Sequence, residues 1–494
     1  MKINIKLDPD FSYQLTKLKS IYGEDIAKLN GLADEQLDYT DFIDNFIDTK
    51  IVADASVDAN ANVTQKSVVT LLSEMAKPHQ KLLSYNKIFY EIKKKYGFEI
   101  AKQWLEDEWI GCLYLHDGHH ASFLHYCWAS SLQKLAEEGL FFIENFNNEP
   151  AKHLSTFVDF VKEYVSYCAN SSSGAIGLPD LLPYMYYFWD RDIQRDYYTE
   201  TPIKYAKQQI QRLIYSLNQP YLRGSIQSAF TNTSIFDHPY LEALFGGMQF
   251  PDGKFMIDEI EGIMNFQKLF LKTMHEIREK NVMTYPVNTI SLLKDKEGNF
   301  VDKEFAKWAC AENMKWCDSN FFIDDSVTSL SSCCRLSNNV KDLYMNSIGG
   351  TALKVGSEKV NTINLSRIAY ESGGDKEKYF EILKKRTLLC LRVLDTVRHI
   401  INRNIEKGLM KNFDAGIVEM DKLYSTIGIT SVYEALKKFG YVKEDKFGYT
   451  EYTEEGMRFA EEILKVIHEV KDEFKRTHDY MINIEAVPRL CMGT

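Results

Sequence analysis

The sequence predicts an α/β fold with strands inside and helices outside. Three observations carry this. Long amphipathic helices are easy to place, short β-branched or aromatic runs lie between them, and no linker or repeat divides the 494 residues. One large compact domain with a helical N-terminal lobe is the expected organisation. Periodicity alone leaves a barrel and a doubly wound sheet both open.

Taken in chain order, "MKINIKLDPDF" alternates like a strand and lacks the apolar region of a secretory signal. Thr201-Pro202 supplies a cap and an N1 proline. Ile203, Ala206, Ile210, Leu213, Ile214 and Leu217 then recur at helical spacing, and Pro220 follows the helix end. "YPVNTISLL" (285–293), "NFFID" (320–324) and "VNTINLS" (360–366) read as strands bounded by polar turns. A helix from about Lys376 to Glu406 carries Phe380, Leu383, Leu391, Leu394, Val397, Ile401 and Ile405. Thr453 caps a last stripe of Phe459, Ile463, Ile467, Val470 and Phe474.

Composition excludes several classes. Apolar residues are 45% of the chain and charged ones 26%, as in ordinary globular proteins. No apolar run approaches the roughly 18 residues of a membrane span. A net charge of −11 argues against broad nucleic-acid binding, while a polyanionic small substrate would need a local positive site. Nine unevenly spaced cysteines without a CxxC pair point to a reducing cytoplasm, with neither a disulfide framework nor a structural zinc.

The chemistry-bearing segments each have a plain alternative. In "SSCCRLSNN" (331–339), Cys333 and Cys334 adjoin. Consecutive Cα atoms lie about 3.8 Å apart, against about 4.4–6.8 Å for a disulfide, so a bond between them would be strained. Two small core residues facing opposite ways are the plain reading. The functional one is a thiol beside the positive Arg335. "CLYLHDGHHASFLHYCWASSLQKLAEEGL" (112–140) holds His116, Asp117, His119, His120, His125 and Cys127. Zinc ligation would want a helical i, i+4 histidine pair matched to a base, which HDGHH does not offer, so a polar loop with core packing is preferred. Cys310 and Cys317 would share a helix face and read as core, as do Cys168 and Cys390. "NSIGGTALKVGSEK" (346–359) matches no phosphate-loop pattern and reads as a mobile loop. "NSSSGAIGLPDLL" (170–182) reads as a capped turn or a phosphate contact.

Taken together, these segments resemble the anaerobic, class III ribonucleoside-triphosphate reductases, a glycyl-radical family. The matching pieces come in order: "DANANVTQKS" (58–67), "YLHDGHH" (114–120) with "YCWASSLQKLAEEGL", "NQPYLRGSIQSAFTNTSIFD" (218–237), "YPVNTISLL", "SSCCRLSNN", "VNTINLSRIAYE" (360–371), "LYSTIGITSVYEAL" (423–436) and "NIEAVP" (483–488).

The resemblance implies a ten-stranded α/β barrel of two antiparallel halves with a finger loop inside. It divides the chain into a lead-in over 1–55, the barrel over 56–490, and a short end over 491–494. By the family motif, Cys334 before Arg335 is the thiyl that abstracts hydrogen from the ribose 3′ carbon. Cys127 is the partner that donates hydrogen as the 2′ hydroxyl leaves. Cys333 either packs beside them or serves as an extra redox thiol. His116, Asp117, Ser172, Ser173 and Gly174 are the expected substrate contacts. The implied partners are a ribonucleoside triphosphate, deoxynucleotide or ATP effectors, a radical-SAM activase, formate or a thioredoxin-like reductant, and a second copy of the chain in a homodimer.

The sequence departs from the family at its end. "NIEAVPRLCMGT" lacks the family's four zinc cysteines, and only Gly493 faintly echoes its radical motif. The expectation is therefore a glycyl radical, generated with S-adenosylmethionine, on another segment or chain of a split or truncated enzyme. An inactive nucleotide-binding paralogue is the alternative. A pyruvate formate-lyase-type enzyme, a family that also has adjacent cysteines, is the other.

Overall fold

The computed structural model describes residues 6–23, 39–48, 67–145, 148–224, 227–281, 283–327, 329–331, 337–339 and 355–486. Its centre is a nine-stranded sheet. In chain order the strands are β1 (Leu113–Leu115), β2 (Cys127–Ala129), β3 (Ile176–Leu178), β4 (Thr231–Phe236), β5 (Val287–Leu293) and β6 (Ser319–Asp324). A separate pair, β7 (Ser329–Ser331) and β8 (Ser337–Asn339), comes next, followed by β9 (Gly356–Asn364), β10 (Leu423–Thr430), the small hairpin β11 (Val442–Glu444) and β12 (Thr450–Tyr452), and β13 (Ile482–Ala486).

The main sheet runs β13-β10-β9-β2-β3-β4-β5-β6. Strands β2 to β6 are mutually parallel, as are β9, β10 and β13. The halves meet where β9 pairs antiparallel with β2 at its start and with β1 further along. Two parallel halves running oppositely are the architecture the family resemblance implied. Nine sheet strands are described where the resemblance implies ten.

Helices cover the sheet because their apolar stripes have nowhere else to go. Helix Lys376–Glu406 packs on β9 and β10, with Leu394, Val397 and Ile401 buried beside Ile363, Ile427 and Ile467. Helices Leu154–Asn170, Leu181–Gln194, Pro202–Leu217 and Ile260–Arg278 pack against one another and cover the other half. Thr201 accepts the Lys204 N–H and Thr453 the Gly456 N–H, as their sequence positions predicted. Such caps are worth about 1 kcal/mol each.

Some expectations shift. Ile203, placed on the buried stripe, is exposed, because only the helix's inner face meets a neighbour. Cys310 and Cys317 are exposed rather than core: Cys310 lies on the solvent face of Lys303–Trp316, and Cys317 is its left-handed C-cap. Cys168 and Cys390 are buried as expected. The run read as a strand from 360 begins at Gly356, so the end of the glycine-rich segment is sheet. Of the stretch 1–11 that alternates like a strand, residues 1–5 lie outside the described residues. Pro9–Phe11 instead open a helix, Pro9–Tyr22, because Asp8 caps it by accepting the Asp10 and Phe11 N–H groups.

The buried strands are unusually polar. Thr231, Asn232, Thr233 and Ser234 of β4, Asn288 and Thr289 of β5, Ser357, Lys359, Asn361 and Thr362 of β9, and Ser425 and Thr426 of β10 are all buried. Polar side chains are rarely enclosed without hydrogen-bonding work or a ligand to meet. The middle of this sheet is therefore where a site belongs.

Candidate active site

Cys127 begins β2 and is fully buried. Its backbone is held from both sides. On one side Gly174 N donates to Tyr126 O at 2.9 Å, Ser173 N to His125 O at 2.9 Å and Trp128 N to Ala175 O at 3.2 Å. On the other, Tyr126 N donates to Glu358 O and Ala129 N to Val355 O, both at 2.8 Å. Two glycines permit this closeness. A Cβ on Gly174 would lie 2.8 Å from Cys127 Cβ and from the Tyr126 carbonyl, and one on Gly356 would lie 2.2 Å from Cys127 O.

The "HDGHH" turn follows β1. Asp117 adopts a positive φ of 48° and accepts the His120 N–H at 2.8 Å. His116 hydrogen-bonds Thr362 Oγ1 through Nε2 at 2.9 Å, while its N–H donates to Val360 O. Gly118 lets the turn lie against Tyr85, whose ring would stand 2.7 Å from an added Cβ. Tyr85 in turn donates to the buried Glu108, whose carboxylate also accepts Leu115 N. The turn thus joins β1 on a fixed base.

Of the three small residues proposed on the 170–174 loop, Ser172 bonds back to Cys168 O at 3.1 Å and finishes its helix. Ser173 and Gly174 lie against Cys127. Ser173 Oγ donates to His125 O at 3.1 Å and accepts from Lys359 Nζ at 3.2 Å. Arg223 fastens this loop, with Nε donating to Ala169 O at 3.0 Å and Nη2 to Gly174 O.

Charges gather here. Burial raises the Asp117 carboxyl pKa, opposed by Lys359 and Arg223. Burial and then Lys359 bring His116 down to about 4. Burial brings His120 down to about 4 and His119 to about 3, helped by neighbouring positive charges. These imidazoles are neutral at pH 7 and can accept or donate hydrogen bonds without adding charge. His125 packs between Trp128 and Phe413, ring centroids 4.8 and 5.2 Å away, and takes part in the core rather than in this cluster. Among the described residues, no group of three or more His, Cys, Asp or Glu side chains is placed to hold a metal ion.

His116, Asp117, Ser173, Gly174 and Cys127 are thus brought to one place, while Ser172 serves the loop. Cys333, Cys334, Arg335 and Gly493 lie outside the described residues. The strands that flank the cysteine pair in sequence are described: β7 and β8 pair antiparallel, Ser331 opposite Ser337, and β7 packs beside β5 and β6. The sequence reading missed Lys359, Arg223 and Gly356. Lys359 and Gly356 fell within the segment read as a loop. Arg223 lay inside a quoted segment with no role attached.

A two-half α/β sheet with a clamped cysteine beside a buried polar cluster defines an enzyme whose chemistry is enclosed in the sheet. The chain belongs to the anaerobic ribonucleoside-triphosphate reductase family, whose model matches residues 74–489, and it is an oxidoreductase of that class. Solved structures agree. The Thermotoga maritima anaerobic ribonucleotide reductase with dATP in its specificity site is 37% identical, with a TM-score of 0.86 over 99% of this chain and 78% of that one. The same enzyme in complex with dATP and CTP is 38% identical, at 0.85, over 98% and 77%. Its structure with citrate in the active site is 37% identical, at 0.85, over 99% and 84%. No match was found among curated protein sequences. No helix of the described residues is long and apolar enough to cross a membrane.

Proposed function

We propose that this chain reduces ribonucleoside triphosphates to deoxyribonucleoside triphosphates by thiyl radical chemistry, with Cys334 as the thiyl and Cys127 as its partner thiol. The observation that carries this is Cys127 itself: a buried cysteine clamped between two strands, with a hydroxyl, an ammonium, a carboxyl and neutral imidazoles around it. A structural cysteine needs none of those neighbours. Binding of dATP and CTP by the Thermotoga maritima enzyme supports a nucleotide substrate and a separate nucleotide effector here.

Each group has a task in this scheme. The Cys127 S–H donates hydrogen as the 2′ hydroxyl departs as water. His116 faces the ribose hydroxyls as a neutral imidazole and Asp117 as a hydrogen-bonding carboxyl group, and Ser173 orients the cluster. The strands enclose the reaction, which keeps water and oxygen from a reactive radical. A glycyl radical generated with S-adenosylmethionine supplies the initial hydrogen abstraction, and formate or a thiol protein supplies electrons. The chain works as a dimer with a radical-SAM activase as partner.

The test is anaerobic product formation from CTP in an activated mixture. Deoxycytidine triphosphate formed by the wild type and lost in Cys127→Ala supports the assignment. Nucleotide bound with normal affinity but never reduced, in any activated mixture, would favour a nucleotide-binding paralogue.

A further inference from the structure

Lys359 has no role in the scheme above, yet it is fully buried. Its position follows from an irregularity in β9. The register with β10 steps from Ser357 opposite Tyr424 to Lys359 opposite Ser425, leaving Glu358 as an extra residue. A bulge of this kind re-aims side chains and is common beside active sites. Here it parts two adjacent opposite charges. Glu358 accepts from Ser425 Oγ at 3.1 Å, with Arg398 its leading counter-charge. Lys359 reaches instead to Ser173 Oγ and stands over the Tyr126 ring, 5.6 Å from its centroid.

Enclosing an ammonium is costly unless its charge and donors are met, and a well-packed apolar side chain would often be more stable. Ser173 is a neutral acceptor for one of three N–H donors. The groups whose negative charge acts on the ammonium are Asp117, the parted Glu358 and, once ionised, Cys127. Burial lowers the Lys359 pKa, and these three partners oppose the shift. Asp117 is shared with Arg223, and the nearby His116 and His120 add no charge.

We propose that Lys359 is the positioning cation of Cys127, holding the negative charge on sulfur whenever Cys127 gives up its proton. The S–H bond breaks, its electron pair stays on sulfur, and Lys359 remains an ammonium throughout. The proton goes to the departing hydroxyl during reduction, or to solvent in the resting chain. This rests on Cys127 being a reacting thiol, but its test does not require turnover.

The Cys127 thiolate is followed by its far-ultraviolet absorbance in an anaerobic pH titration, as the difference between the wild-type chain and Cys127→Ser. The same difference is taken in Lys359→Met, Lys359→Arg and Asp117→Asn backgrounds. A neighbouring opposite charge moves a titration by about 1–3 pH units. Lys359→Met should therefore raise the Cys127 midpoint by about one unit or more, while Lys359→Arg keeps it nearer the wild type. Asp117→Asn, which removes the competing anion, should lower it; this arm serves if Lys359→Met does not fold. An unmoved midpoint in folded Lys359→Met, or an unmoved or raised one in Asp117→Asn, overturns the assignment.

In the activated enzyme, Lys359→Met should lower kcat while the nucleotide KM stays within about twofold. A raised KM with unchanged kcat would make Lys359 a substrate contact instead and overturn the positioning role. Normal thiol titration in a chain that never reduces nucleotide would count against the reductase reading alone.

Discussion

Gly356→Ala should displace Cys127 without touching its sulfur. The added Cβ would lie 2.2 Å from Cys127 O and 2.4 Å from Trp128 Cα. Ordinary contact begins at 3.4 Å, so one strand must retreat by about 1.2 Å. The obstructing atoms are main chain inside the sheet and cannot swing aside like the end of a flexible side chain. Overpacking of this sort typically costs about 1–3 kcal/mol, and the upper end applies here. A reacting group misplaced by about 1 Å can cost around a hundredfold in rate. Thermal or denaturant unfolding of the variant, with anaerobic turnover of the folded fraction, measures both. Gly174→Ala, which meets Cys127 Cβ at 2.8 Å, should show the same pattern more mildly. Wild-type stability and turnover within about twofold in Gly356→Ala would refute the claim that this clamp sets the position of Cys127.

Other outcomes follow from the same contacts. Cys334→Ala and Cys127→Ala should each bring deoxynucleotide formation to background in a folded protein. Cys333→Ala should leave formate-driven turnover largely intact, and its loss there would make Cys333 a redox thiol. Burial brings folded His125 down to about 3, whereas an unfolded histidine titrates near 6.5. Below that pH the unfolded chain takes up a proton the native one refuses. His125 therefore contributes no pH-dependent penalty above about pH 6.5, and stability falls from there toward pH 3, by about 1.4 kcal/mol at pH 5.5. Denaturant midpoints at pH 7.5 and 5.5 should show this slope, reduced in His125→Phe. Arg223→Met should free the Ala169 and Gly174 carbonyls and speed amide exchange over 169–175, with turnover falling severalfold.

The sequence was most informative where the physics is local. Helix Lys376–Glu406 has the bounds its periodicity suggested, because thirty-one residues of one stripe leave little choice. The caps at Thr201 and Thr453 were equally legible. Strands β1, β2 and β3 were not, since three residues carry no period and each exists by pairing. The site followed the same division. His116, Asp117 and Cys127 are candidates that the order of motifs in the chain points to. Lys359 could not, because a lysine inside a sheet contradicts the expectation for buried strands, and only the bulge opposite Tyr424 and Ser425 shows where it points. Gly356 read as a loop glycine until its distance from Cys127 O gave it a reason.

The measurement that tests the central claim most directly is an anaerobic reduction assay with the wild-type chain, a radical-SAM activase, S-adenosylmethionine, reductant and CTP. It is run with and without a separately supplied glycyl-radical chain, and EPR and product are read on the same samples. The account predicts a glycyl doublet together with deoxycytidine triphosphate, the product vanishing in Cys127→Ala while the doublet persists. A doublet with full product in Cys127→Ala would contradict it.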